Sequence, residues 1–230
     1  MLPTIVLLPG MDGTGEFFHP FLSAAKDEFR TIIVRYPTDR PLEYSALVSF
    51  VASHLPNDAP FVLLAESFSG PVAISLAAGK PDGLVGLILC ATFAQNPRPR
   101  LRFLVPLLEL IPLRWLPDPV LTLLFFGRFA TPALVGELKQ ILAKVDDAVL
   151  HQRLRALLDV DVTDELKRID VPSLYITARE DRLIPSKATR PFQQLSPKWQ
   201  ITEITGPHLL MQSVPRDVVR AVRNFLESFG

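Results

Sequence analysis

Cysteine is almost absent: Cys90 is the only one among 230 residues, so no disulfide can close within the chain. A lone thiol fits a reducing compartment, and the cytoplasm is the expected location. An excess of either charge is absent too, since 24 basic side chains meet 24 acidic ones. Such a balance exerts no net pull toward nucleic acid or an anionic membrane, and neither is expected as a partner. Nowhere do His, Cys and acidic residues fall at metal-ligand spacing, so no metal and no cofactor are expected. The early glycines are not followed by Gly-Lys-Ser/Thr, and Gly10, Gly13 and Gly15 miss the G-x-G-x-x-G dinucleotide spacing. Residues 1–10 hold no basic side chain and run into a turn-rich stretch rather than a cleavage site, which argues against a targeting peptide.

Long unbroken apolar runs are also lacking. Residues 103–126 would be long enough to span a bilayer, but Pro106, Pro112, Pro117 and Pro119 interrupt them, and Glu109, Arg114 and Asp118 charge them. A spanning helix tolerates neither, so no membrane span is expected. What is plentiful is proline, with 22 residues, about twice the usual share. Many of these fall between positions 96 and 132. The length suits one domain with a core of its own.

Short apolar runs rich in branched residues recur at 4–8, 31–35, 61–65, 84–90, 173–177 and 200–204. They are apolar throughout rather than alternating, as strands covered on both faces must be. Helical patterns lie between them at 16–29, 44–55, 68–78, 187–195 and 216–229. Strands alternating with helices predict an α/β fold with a mainly parallel six-stranded sheet and helices on both faces. One gap is too long for a single helix. Residues 94–170 read as a helical insertion, opening on Pro97-Arg98-Pro99-Arg100, with amphipathic stretches at 135–144 and 147–158.

Four loops follow predicted strands and carry the chemistry. In Leu64-Ala65-Glu66-Ser67-Phe68-Ser69-Gly70-Pro71 a strand ends, a serine stands in the turn and a helix begins, with proline where no amide donor is missed. The nucleophile-elbow pattern G-x-S-x-G is met approximately: Ala65 stands for its first glycine, and Ser69, backed by Gly70, for its second. Alone, Ser67 reads equally well as a helix N-cap. In Pro9-Gly10-Met11-Asp12-Gly13-Thr14-Gly15 a glycine-loosened loop can aim backbone N–H groups into the crevice at a strand end. Asp181 follows the fifth strand, where a turn role is the plainer reading, and Glu180 is its rival. His208 follows the sixth, where a satisfied loop histidine would be unremarkable. A hydroxyl needs an imidazole to take its proton and a carboxylate to orient that imidazole. Serine, acid and histidine in that order, each after a different strand of one parallel sheet, supply all three.

These loops resemble those of the α/β-hydrolase superfamily, and the resemblance covers almost the whole chain. The extended Pro9-to-Gly15 string is similar to that of a bacterial and plant subgroup of esterases and acyltransferases. The resemblance implies that Ser67 is the nucleophile, His208 the base and Asp181 the acid. It implies backbone N–H groups of Met11 and Phe68 as the oxyanion hole. It also implies a core of residues 1–93 and 171–230 under a helical cap of residues 94–170. The superfamily's first two strands have no counterpart, which implies a six-stranded minimal version.

The expected function is therefore a serine carboxylesterase for small to medium acyl esters. A thioesterase, an acyltransferase, a carbon–carbon hydrolase or a non-catalytic binding protein are the alternatives. The insertion is rich in large apolar residues, among them Phe103, Leu107 and Phe125, which suits an apolar acyl or aromatic group. Arginines 98, 100, 102, 114, 128, 153 and 155 in this region read first as a solvated face, with a carboxylate or a carrier-protein phosphate as the alternative they could greet. Ser69 reads as a small packing residue rather than a second nucleophile, and at Glu66 solvation, a local hydrogen bond and a role in pKa tuning stand equally open.

Overall fold

A computed structural model describes residues 3–26, 28–100, 115–193 and 199–228. Six strands, β1 (Thr4–Leu8), β2 (Thr31–Ile33), β3 (Phe61–Glu66), β4 (Leu84–Cys90), β5 (Ser173–Ala178) and β6 (Trp199–Ile204), form one sheet in the order β2-β1-β3-β4-β5-β6. Every ladder is parallel. The register sets Leu8 beside Ala65, Glu66 beside Cys90, Cys90 beside Ile176 and Ala178 beside Ile204. The carboxyl ends of the strands thus share one edge, and the loops that leave them meet there.

Successive strand residues point to opposite faces, so an apolar run feeds two layers. Ile5 and Leu7 pack on one side with α1 (His19–Ala25) and Val218, Val222 and Phe225 near the carboxyl end of the chain. Val6 and Leu8 pack on the other side with α2 (Tyr44–Ala52) and α3 (Gly70–Ala78). Each such fully buried Leu, Ile or Val contributes on the order of 2 kcal/mol.

Between β4 and β5 the described residues fold as α4 (Asp118–Leu121), α5 (Pro132–Leu142), α6 (Asp147–Asp159) and α7 (Thr163–Lys167). Helix α5 starts cleanly because Pro132 fills its first turn and Thr131 Oγ1 accepts from Leu134 N at 3.2 Å. Val135, Leu138, Ile141 and Leu142 of α5 bury with Val149 and Leu150 of α6 against Phe17 and Leu209, which follow β1 and β6. This third cluster therefore sits over the carboxyl edge of the sheet. The segment is pinched at its base, where Val162 N donates to Ala94 O at 2.8 Å and Asn96 N to Val160 O at 3.0 Å.

The chain then passes through β5, α8 (Arg190–Gln193), β6 and α9 (Leu210–Ser213) into α10 (Pro215–Glu227). Val218, Val219, Val222, Phe225 and Leu226 make one buried stripe along α10. All six strands lie where the apolar runs predict them. The helix expected over 16–29 is shorter and divided: a 3-10 turn, Glu16–Phe18, precedes α1, and Lys26 ends α1 in the left-handed region at φ 47°. Positions 194 and 195 of the helix expected over 187–195 lie outside the described residues, as does position 229 of the one over 216–229.

Candidate active site

Glu66 ends β3, and Ser67 turns the chain at φ 49°, a left-handed conformation costly for any residue with a Cβ. The neighbours hold it there. Thr92 Oγ1 donates to Ser67 O, and Tyr44 OH donates to Phe68 O at 3.2 Å while its ring stacks on that of Phe68 with centroids 4.8 Å apart. A Cβ on Gly70 would collide with the Thr92 side chain, so Gly70 is the glycine this turn requires. The helical run continues from Ser67 into α3, leaving its first N–H groups without intrahelical acceptors.

Ser67, Asp181 and His208, separate in sequence, come together at the sheet edge. Ser67 Oγ lies 2.8 Å from His208 Nε2, and His208 Nδ1 lies 2.8 Å from Asp181 Oδ2. Both partners of the second bond are buried, at 3% and 4% exposure. Asp181 is itself fixed, because Oδ1 accepts from the N–H groups of Leu183 and Ile184 at 2.8 Å each. Burial draws the pKa of His208 down, but the Asp181 charge, its hydrogen bond and the Glu66 charge outweigh it and leave the ring above its usual value. With Nδ1 bonded to a carboxylate, Nε2 is free to accept a proton from the serine hydroxyl. Glu180 takes no part in this relay; it turns outward into a bidentate pair with Arg128, at 2.7–3.0 Å.

Ser67 and His208 border a cavity of about 390 Å³. Met11 and Phe68 line it too, beside Phe17, Leu121, Leu124 and Leu157. Phe125 forms part of the wall and meets the His208 ring edge-on at 6.2 Å. Phe103 and Leu107 lie outside the described residues. Among the described residues no group of three or more His, Cys, Asp or Glu could hold a metal ion. No helix among them is long and apolar enough to cross a membrane.

Two side chains depart from their sequence reading, Arg153 and Ser69, and a third, Glu66, is decided among the readings left open. Arg153 is not on a solvated face: it is 1% exposed and donates to Met11 O, Asp12 O and Pro37 O at 2.8, 2.8 and 2.9 Å. Its signal was present, since it falls three and four positions after Leu150 and Val149 on the buried stripe of α6. Glu66 is buried rather than solvated, and one oxygen accepts from Gln212 Nε2 at 3.3 Å. Its other oxygen has no partner among the described residues. Burial pushes its carboxyl up to about 7 against the opposing pull of His208. Ser69 does more than pack: it accepts from Tyr36 OH at 2.6 Å and donates to Pro9 O. Nothing local in the sequence marks that pairing, which joins positions 60 residues apart.

A family model described as "Alpha/beta hydrolase family" matches residues 5–221. The chain is 26% identical over 245 residues to the Biotin biosynthesis bifunctional protein BioHC of Cellvibrio japonicus, covering 99% of this chain and 48% of that protein. It is 32% identical over 117 residues to Phytyl ester synthase 1, chloroplastic, of Arabidopsis thaliana, covering 48% of this chain and 16% of that protein. The chain thus spans about half the length of the first relative and about a sixth of the second. Among solved structures, a hydrolase from Oleispira antarctica superposes with a TM-score of 0.84 at 16% identity, covering 98% of this chain and 91% of that one. At that identity the likeness attests the fold alone.

Proposed function

The chain belongs to the alpha/beta hydrolase family, and from that premise we propose that it is a serine carboxylesterase that cleaves small to medium acyl esters through an acyl-enzyme on Ser67. The observation that carries this reading is the relay from Ser67 Oγ through His208 to Asp181, 2.8 Å at each step, beside a largely apolar cavity. His208 Nε2 takes the hydroxyl proton as Oγ bonds to the acyl carbon. The carbonyl electron pair moves to oxygen, and the N–H groups of Met11 and Phe68 meet the charge formed there. Each such donor lowers a barrier by about 3 kcal/mol. Collapse expels the alcohol, which takes the proton from His208. Water then repeats the sequence at the acyl-enzyme, and the carboxylic acid leaves. Asp181 keeps the imidazole in the tautomer this exchange requires.

Residues 94–170 fit the role of a cap over a core of residues 1–93 and 171–230. The cluster around Phe17 and Leu209, the Arg128–Glu180 pair and the bond from Asp146 N to Thr38 O at 2.9 Å support that division. The few polar side chains in the cavity wall favour an apolar acyl chain or aromatic group. The local match to a phytyl ester synthase supports a second reading, in which an alcohol rather than water accepts the acyl group.

A panel of p-nitrophenyl esters of increasing chain length, run on wild type and Ser67→Ala, tests the first reading. Turnover is expected to peak at short or medium chains and to fall by about 10⁴-fold or more in the variant. Equal rates in the two proteins would remove Ser67 from the mechanism. Added alcohol that diverts most of the acyl product into a new ester would favour transfer over hydrolysis.

A further inference from the structure

The loop after β1 is held from two sides, and one side belongs to the segment between β4 and β5. Gly13 N donates to Gly10 O at 3.1 Å, closing a turn with Met11 and Asp12 at its centre. On the side toward α3, Ser69 donates to Pro9 O. On the other, Arg153 of α6 donates from Nη1 to the carbonyls of Met11 and Asp12, and from Nη2 to that of Pro37. Gly13 makes room for this clamp: at φ 73° its missing Cβ would stand 2.5 Å from Nη1. The guanidinium lies 5.7 Å from the centre of the Tyr36 ring, and Tyr36 N donates to Gly13 O at 2.8 Å.

A buried cation is a costly way to fill space, and the same face of α6 uses leucine for that at positions 154 and 157, both in the cavity wall. What the guanidinium provides is a rigid fork of donors on two adjacent carbonyls. The Gly10–Met11 peptide, which carries the Met11 N–H, is thereby set between two anchored neighbours, the Pro9–Gly10 peptide referenced to the turn that carries Ser67 and the Met11–Asp12 peptide to α6. We propose that Arg153 is a positioning residue, which aims the Met11 N–H at the carbonyl oxygen of an ester held over Ser67. Oxyanion stabilisation then requires α6 to be docked. This rests on the reading of Ser67 as nucleophile and Met11 as oxyanion donor given above.

The test compares wild type, Arg153→Lys and Arg153→Met by p-nitrophenyl butyrate kinetics, inhibition by a trifluoromethyl ketone of matched chain, and thermal unfolding. The ketone forms a hemiketal whose oxyanion needs the same donors. In folded variants kcat falls about 10–100-fold, part of the loss typical for one oxyanion donor. KM stays within about twofold, ketone affinity drops in proportion to kcat/KM, and the acid limb of the pH profile, set by His208, does not move. Should neither of these substitutions fold, Arg153→Gln, which keeps a polar head of shorter reach in the same place, carries the same expectation. Unchanged kcat and ketone affinity overturn the proposal. So does a rise in KM alone, or a kcat loss with ketone affinity intact, either of which places the effect in packing. A wild type that neither turns over the ester nor binds the ketone, or a Ser67→Ala variant as active as wild type, overturns the esterase reading itself. Activity lost in Ser67→Ala but untouched in the Arg153 variants overturns only this inference.

Discussion

The turns after β1 and β3 stand at the carboxyl ends of adjacent strands, and they are held by different means. The turn after β3 is locked by the sheet's own layers: Gly70 leaves no room for a Cβ beside Thr92, Thr92 Oγ1 holds Ser67 O, and Tyr44 packs on Phe68. The loop after β1 has its carbonyls fixed by donors from elsewhere, Ser69 on one flank and Arg153, 142 positions from Met11, on the other. The geometry of Ser67 is therefore set by the sheet and the layers packed on it. The geometry of the neighbouring N–H groups depends on how the segment between β4 and β5 sits. Substitutions that loosen this segment should slow oxyanion chemistry and leave the serine turn intact.

The strongest way to break the comparison is to attack what both turns serve. Asp181→Asn should lower kcat/KM by about 10³–10⁴-fold, because an amide no longer selects the productive imidazole tautomer. The fold should survive, since the remaining oxygen can still accept from Leu183 and Ile184. A loss below tenfold in steady-state assays would contradict the assigned role of Asp181. Gly70→Ala strikes the β3 turn alone. Overpacking against Thr92 should cost about 1–3 kcal/mol in urea unfolding, and the Thr92→Ser background should recover little of it, because the hydroxyl that serine keeps is the atom nearest the added Cβ. Arg153 variants strike the β1 loop alone and should show the complementary pattern.

Glu66 ends β3 and lines the cavity beside Gly10 and Ser67, and its substitution gives the most pH-dependent effect, vanishing at low pH. Its carboxyl is pushed up to about 7 by burial, from 4.5. A raised acid favours folding in its protonated form, so that contribution is complete below about 4.5 and is lost as pH rises through about 7. Glu66→Gln should therefore change stability little at pH 4 and raise it near pH 8, by at most roughly 3 kcal/mol, the equivalent of the full shift. Thermal unfolding at the two pH values checks this, and equal gains at both would contradict it. The Glu66 charge also helps hold the His208 pKa up. Removing it should move the acid limb of kcat/KM to lower pH.

Much of this arrangement was legible in the sequence, for physical reasons. Unbroken apolar runs such as 61–65 and 84–90, rich in branched residues and alternating with helical patterns, fit strands covered on both faces, and the loops after such parallel strands share an edge. That logic alone places Ser67, Asp181 and His208 at one sheet edge. It failed where polar side chains act across long distances. Arg153 looked solvated because charge dominates a residue-by-residue reading, although it falls on the buried stripe of α6. Ser69 looked like filler because its partners, Pro9 and Tyr36, are brought near only by the folded sheet. Glu66 stayed open between solvation, a hydrogen bond and pKa tuning, because strand periodicity says which residues are buried but not what becomes of a carboxylate among them.

The central claim is that Ser67 is an activated nucleophile. Its most direct test is labelling with an alkyl fluorophosphonate, followed by peptide mass analysis and residual esterase activity. The account predicts one adduct per chain on the peptide containing Ser67, activity lost in step with labelling, and no adduct in Ser67→Ala. An adduct on another residue, or esterase activity that persists after Ser67 is fully labelled, would contradict it.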